Sequence, residues 1–187
     1  QPTLAKARIG YLPETPPLYR ELSVNDYLTF AARLRGMKPG NMPNNVTAAL
    51  TRTKQRCGLT AVGQKIIGTL SKGYQQRVGI AQAIIHQPDV IVLDEPTVGL
   101  DPSQIREVRT LIRELGDTHS VILSTHLLGE VESICDRVEI LHRGTLVYSG
   151  TTAALDSHGG EAGNLEENFI RLTEQSETEA QQLEHQP

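Results

Sequence analysis

The run Val90-Ile91-Val92-Leu93-Asp94-Glu95-Pro96-Thr97 places two adjacent carboxylates at the end of a continuously apolar, β-branched stretch. Such a stretch is expected to form a strand of a parallel sheet, buried on both faces. Ligands of open α/β folds bind at the carboxyl edge of the sheet, where these acids would stand. Two neighbouring acids can divide the labour there. Asp94 could hold Mg²⁺, directly or through water, because hard cations prefer oxygen ligands. Glu95 could polarise a water for in-line attack on a phosphoryl group. Taken alone, an Asp-Glu pair at a strand end is as often solvated decoration, so its neighbours have to decide between the two.

Four further groups of residues fall around it in order. Gly99-Leu100-Asp101-Pro102-Ser103-Gln104 follows at once. Asp101 there suits a helix N-cap, with Pro at the first helical position and Gln at the third. A cap leaves one carboxylate oxygen for other work. About 20 residues upstream, Leu70-Ser71-Lys72-Gly73-Tyr74-Gln75-Gln76-Arg77 opens a helix. Free backbone N–H groups, a Ser hydroxyl and a small Gly at a helix N-terminus can cradle phosphate oxygens, while an isolated Leu-Ser-x-Gly is more often a plain Ser71 cap. Ser124-Thr125-His126 ends the next apolar strand, and Ile9-Gly10-Tyr11-Leu12-Pro13-Glu14 reads as a short strand closed by Pro. A lone His at a strand end is usually structural, and an acid after Pro13 is ordinary turn chemistry.

With all five pieces in order, VIVLDEPTVGLDP resembles the Walker B motif and D-loop of the ATP-binding-cassette (ABC) ATPases. The resemblance covers roughly residues 5–150. It implies that Asp94 is the magnesium-associated acid and Glu95 the catalytic glutamate. It makes Asp101 the D-loop aspartate that reaches across a dimer interface, and His126 the switch histidine that contacts the γ-phosphate. Ser71, Lys72, Gly73, Tyr74 and Gln75 fall on the signature motif, which binds the γ-phosphate held by the opposite subunit. Lys72 and Tyr74 depart from its Gly and Gln. Glu14 falls on the Q-loop glutamine; a carboxylate can still accept from metal-bound water or bind Mg²⁺, but it cannot donate as an amide does. The other histidines, His86, His119, His142, His158 and His185, receive no role.

No G-x-x-x-x-G-K-[ST] occurs among the 187 residues. That loop supplies the N–H cradle and the Lys for the β- and γ-phosphates, and the resemblance places it, with an adenine-stacking aromatic, upstream of Gln1. The chain is thus expected to begin mid-domain and to expose apolar sheet surface, with partial unfolding, a swapped partner or aggregation as the result.

The resemblance implies the ATPase subunit of a membrane transporter, most like export-type bacterial subunits. Its partners would be ATP, Mg²⁺, a second cassette subunit and a transmembrane permease, at the cytoplasmic face of the membrane. The intact protein is expected to be an ATPase and the chain alone to be inactive. A non-catalytic module that lends its signature motif to a partner cassette is the alternative. A soluble cassette ATPase of DNA repair or translation lacks support, because neither a long coiled-coil insert nor a basic segment is present.

Whole-chain properties agree. Net charge is −4 with pI about 5.9, so there is no electrostatic footprint for nucleic acid. Cys57 and Cys135 are far apart and outside any ligand-spaced motif, which suits a reducing compartment. No apolar run approaches the roughly 20 residues needed to span a bilayer.

The elements that must position these residues follow from periodicity. Ser23-Val24-Asn25-Asp26 looks like a capping box, followed by Val24, Tyr27, Leu28, Ala31 and Leu34 at helical spacing up to Gly36. A Pro/Gly/Asn-rich loop is expected from Lys38 to Asn45, then a second helix ended by Gly58. Helices are expected over 73–86, 103–115 and 127–135, strands over 89–94, 120–124 and 137–142, and a hairpin over 145–149. Leu165 to Leu172 suits one more helix, with a frayed end from Glu174. This alternation implies an α/β fold with a mostly parallel sheet; the resemblance makes it a RecA-like P-loop NTPase core with an α-helical insert. The expected segments are 1–14 (end of the first core segment, with the Q-loop), 15–75 (helical subdomain ending in the signature motif), 76–150 (second half of the core) and 151–187 (polar extension).

Overall fold

The computed structural model describes residues 1–39, 45–157 and 165–184. Residues 40–44 of the expected Lys38–Asn45 loop, His158 and His185 lie outside the described residues. The chain forms two compact units, Gln1–Thr125 and His126–Pro187.

In the first unit, helix α1 (Pro2–Ala7) leads into strand β1 (Ile9–Leu12). No apolar periodicity announces α1, and it buries no residue; Pro at its start and the helix formers Ala and Lys account for it. Helices α2 (Val24–Leu34) and α3 (Val46–Arg56) follow, then two short 3₁₀ turns at Thr60–Val62 and Ile67–Thr69. Ser23 caps α2 by accepting from the Asp26 N–H at 3.1 Å, and its hydroxyl donates back to the Asp26 carboxylate. Asn45 caps α3 through the Ala48 N–H at 2.8 Å. Val24, Tyr27, Leu28, Ala31 and Ala32 form the buried stripe of α2. The insert holds no strand among the described residues, only one isolated bridge between Ser23 and Ile66.

Helix α4 (Lys72–Ile84) carries the chain back to strand β2 (Val90–Asp94). Helix α5 (Pro102–Gly116) then leads to strand β3 (Ser120–Ser124). The three strands form a parallel sheet in the order β1-β2-β3, with Leu12 opposite Leu93 and Asp94 opposite Ser124. Alternation puts Leu12, Ile91 and Leu93 on the side covered by helices, where they are buried with Val78, Ile80, Val108 and Leu115. β1 and α4 approach so closely that a side chain at Gly10 would strike the Ala83 carbonyl.

Burial of β2 and β3 on both faces is not what the structure has. β2 alternates between half-buried and buried residues, and β3 between exposed and half-buried ones. Tyr11 (47% exposed) and Ile122 (57% exposed) lie on the uncovered side. The reason is that α4 and α5 pack on one face, and no element among the described residues of this unit covers the other.

In the second unit, helix α6 (Leu128–Ile134) precedes strands β4 (Arg137–His142) and β5 (Thr145–Thr151). They pair antiparallel around a two-residue turn at Arg143 and Gly144. A short helix α7 (Thr152–Asp156), which no sequence signal announced, follows, and then α8 (Leu165–Glu184). The α8 backbone runs to Glu184; the Glu, Gln and Ala residues toward its end are good helix formers. Val131, Ile140, Leu155, Leu165 and Leu172 make a small core of their own. Buried Asn168 ties α8 to α7 by donating to the Leu155 carbonyl at 2.8 Å.

Candidate functional site

β2 delivers Asp94 and Glu95 to the carboxyl edge of the sheet, as the apolar run implied. The Ser124 hydroxyl, directly opposite on β3, donates a short hydrogen bond to Asp94 Oδ1. The pairing continues one residue further, with the Glu95 N–H donating to the Ser124 carbonyl at 3.0 Å. The chain then turns sharply. Glu95 has φ 45°, in the left-handed region that costs a non-glycine residue about 1–2 kcal/mol. Pro96 and Thr97 beneath it are buried. Such strain persists only where the surroundings over-determine it, and the Ser124 bond and the buried Pro96-Thr97 pair do so here.

The turn closes through Val98 N–H to the Glu95 carbonyl and Leu100 N–H to the Thr97 carbonyl, both 3.2 Å. Gly99 adopts φ +70°, which its lack of a side chain permits. Asp101 then caps α5. Its Oδ1 accepts from the Ser103 hydroxyl (2.6 Å), the Ser103 N–H (2.9 Å) and the Gln104 N–H (3.0 Å). The Ser103 hydroxyl, and after it the Gln104 N–H, hold this carboxyl below the ordinary carboxylate range. All three bonds fall on one oxygen, so the cap does not use Oδ2 of this exposed side chain.

The start of α4 comes to the same place. Ser71 is its N-cap, accepting from the Tyr74 N–H at 3.4 Å. Gln75 folds back, its Nε2 donating to the Leu70 carbonyl at 2.9 Å. Gly73 is buried against α5; a Cβ there would stand 2.6 Å from Gln104 Cδ. The Lys72 ammonium lies directly over Gly99, in the space a side chain at that position would need. The structure therefore joins two segments that are remote in sequence, residues 71–75 and residues 99–104. Spacing alone carried no signal for this contact, because it depends on how α4 and α5 pack.

Glu14 lies two residues past the end of β1, whose Leu12 pairs with Leu93, and is exposed. It stands at the same sheet edge as Asp94. His126 is exposed, two residues past the end of β3, in the second unit. Among the described residues no three His, Cys, Asp or Glu side chains are grouped to hold a metal ion by themselves. Among the described residues no helix is long and apolar enough to cross a membrane.

Residues 1–98 match the family model described as ABC transporter. A second model, described as AAA domain, putative AbiEii toxin, Type IV TA system, matches residues 67–132. An uncharacterised ABC transporter ATP-binding protein of Bacillus subtilis (strain 168) is 38% identical over 147 residues, which is 79% of this chain and 48% of that protein. The bacitracin transport ATP-binding protein of Bacillus licheniformis is 37% identical over 142 residues, 75% of this chain and 44% of that protein. The chain thus spans about half the length of these curated relatives. A solved structure of an ATP binding subunit of an ABC transporter superposes with a TM-score of 0.75 at 30% identity, covering 92% of this chain and 71% of that one. Its fold class agrees with the parallel sheet and flanking helices described above.

Proposed function

The chain belongs to the ABC transporter family, and on that premise we propose that it is part of the ATP-binding and ATP-hydrolysing subunit of a membrane transporter. The observation that carries this reading is the pair Asp94–Glu95, held at the carboxyl edge of a parallel sheet by Ser124. The joined segment of residues 71–75 and 99–104 adds a helix N-terminus and the exposed Asp101 carboxylate.

In this reading Asp94 holds Mg²⁺ through water or directly, and Glu14 binds water of its shell. Bound Mg²⁺ would neutralise charge on the phosphates. Glu95 orients and polarises the attacking water from the turn at the end of β2. His126 contacts the γ-phosphate. The α4 N-terminus offers the Ser71 hydroxyl and free N–H groups to the γ-phosphate of a nucleotide held by a second cassette subunit. Lys72, Gly73, Tyr74 and Gln75 shape that cradle, and the second carboxylate oxygen of Asp101 reaches across the dimer interface. The partners are a transmembrane permease and the second cassette, homologous or identical. Transport is in the export direction, with the subunit on the cytoplasmic face of the membrane.

The test is Glu95→Gln in the full-length protein with its permease. ATP turnover is expected to fall at least about 100-fold, with ATP-bound dimers accumulating in sedimentation. Turnover within twofold of the parent would remove Glu95 from its role and the reading with it.

A further inference from the structure

Three segments meet at Arg77, one turn beyond the residues of the cradle on α4. Its guanidinium carbon stands 4.4 Å from the centroid of the Tyr74 ring. Its Nη2 pairs with Glu107 of α5 at 3.1 Å, and the Arg77 side chain is only 15% exposed. Its Nη1 lies against Gly58, just past the end of α3, where a Cβ would stand 3.0 Å away. Gly58 has φ +64°, so that position favours glycine on backbone grounds as well.

The same face of α5 continues this seam. Gln104, three residues before Glu107, fills the space over Gly73. The Glu114 carbonyl, seven residues after Glu107, accepts from Arg56 Nη2 at 2.8 Å, and the Thr118 hydroxyl lies 2.8 Å from the same nitrogen. Positions three and seven apart share one helix face. One face of α5 therefore meets Gly73, Arg77 and Arg56 in turn, and the Arg77 side chain is largely buried there.

We propose that Arg77 is a positioning residue: it sets the angle at which the N-terminus of α4 meets the turn at residues 97–101 and the N-terminus of α5. A planar guanidinium can stack on Tyr74, pair with Glu107 and pack on Gly58 at once, which an ammonium cannot do. Its effect reaches nucleotide through Ser71–Gln75 and Asp101. The inference rests on the reading of those residues as the parts that close on the nucleotide of a second cassette.

The experiment uses full-length Glu95→Gln protein, with and without Arg77→Met. ATP-driven dimerisation, followed by sedimentation, is expected to need at least tenfold more protein in the Arg77→Met variant, while a fluorescent ATP analogue binds the monomer with unchanged affinity. Amide exchange at residues 97–101 is expected to quicken at least tenfold, with exchange in the sheet unchanged. Arg77→Lys should recover part of the dimerisation. Glu107→Gln should weaken dimerisation in the parent and change nothing in the Arg77→Met background. Unchanged dimerisation together with unchanged exchange at 97–101 overturns the proposal, and so does uniformly faster exchange throughout residues 1–125, the mark of a merely structural residue. If the Glu95→Gln parent itself does not dimerise with ATP, the functional reading fails; the exchange measurement then still decides whether Arg77 holds the 97–101 turn.

Discussion

Glu95 and Asp101 stand six residues apart in one turn, yet the fold holds them in opposite ways. Glu95 sits in a left-handed backbone conformation above the buried Pro96 and Thr97, so its placement costs stability. Asp101 sits in an ordinary extended conformation and satisfies the orphan N–H groups of α5, so its placement adds stability. One carboxylate is placed at the expense of the backbone; the other is placed as a by-product of a helix cap. Chemistry and stability are therefore expected to separate at Glu95, while at Asp101 one side chain serves both, the cap through one oxygen and the chemistry through the other.

The largest expected effect breaks the pair apart at Glu95. The Glu95→Gln change should reduce turnover of the full-length protein at least about 100-fold while shifting its melting temperature by less than about 2 °C. A melting loss as large as the activity loss would show that the carboxylate is holding the turn together. At Asp101 the order reverses. Asp101→Ala should lower the melting temperature by about 2–4 °C, as loss of a cap does. Asp101→Asn, which can still accept from Ser103 and Gln104, should melt near the parent and lose turnover several-fold. Equal melting of the Ala and Asn variants would end the claim that the cap is structural.

Acidity sharpens the contrast. The Asp101 carboxyl titrates below its unfolded value, so its contribution to stability is complete above the ordinary carboxylate range and is lost as pH falls through the lowered folded value. A second group marks a higher window. Burial, reinforced by the Arg35 charge and only partly offset by the Ile9 backbone, pushes His86 down from 6.5 to about 4. The unfolded chain then binds the extra proton first, so stability is complete above about pH 6.5 and falls as pH drops from there to about 4. With discount for a partly exposed residue, His86→Gln should remove about 1–2 kcal/mol of that dependence in urea melts at pH 7.5 and pH 5. An unchanged pH profile would relocate the dependence to other groups.

The smallest expected effect is the most particular to the comparison. Glu95→Gly should relieve the backbone strain while increasing the freedom of the unfolded chain, leaving stability between unchanged and about 1 kcal/mol higher. Turnover should be abolished all the same. A loss of more than about 1 kcal/mol would mean that the carboxylate, and not its backbone, is what the turn needs.

Much of this was legible because it is local. Ser23, Ser71 and Asp101 each announced a cap by type and spacing, and each is one in the structure. The apolar run before Asp94 announced β2, and the alternation of strands and helices announced the parallel sheet. Elements without apolar periodicity, α1 and α7, were not legible, since a short helix with little buried surface leaves no stripe in the sequence. The burial of β2 and β3 was over-read for a related reason. A β-branched run shows that a strand can be buried on both faces, and only the packing of α4 and α5 decides which face is.

The sequence by itself determined the order of the chemical groups, the caps that present them and the strand that carries the two acids, because all of these depend on neighbours within a few residues. Only the tertiary structure decided that Lys72 lies over Gly99, that Gln104 fills the space above Gly73, that Ser124 braces Asp94 and that Arg77 joins Tyr74, Gly58 and Glu107. Those contacts depend on the crossing of α4 with α5 and on the register of β2 with β3. Burial of apolar surface sets both, and it acts without regard to separation along the chain.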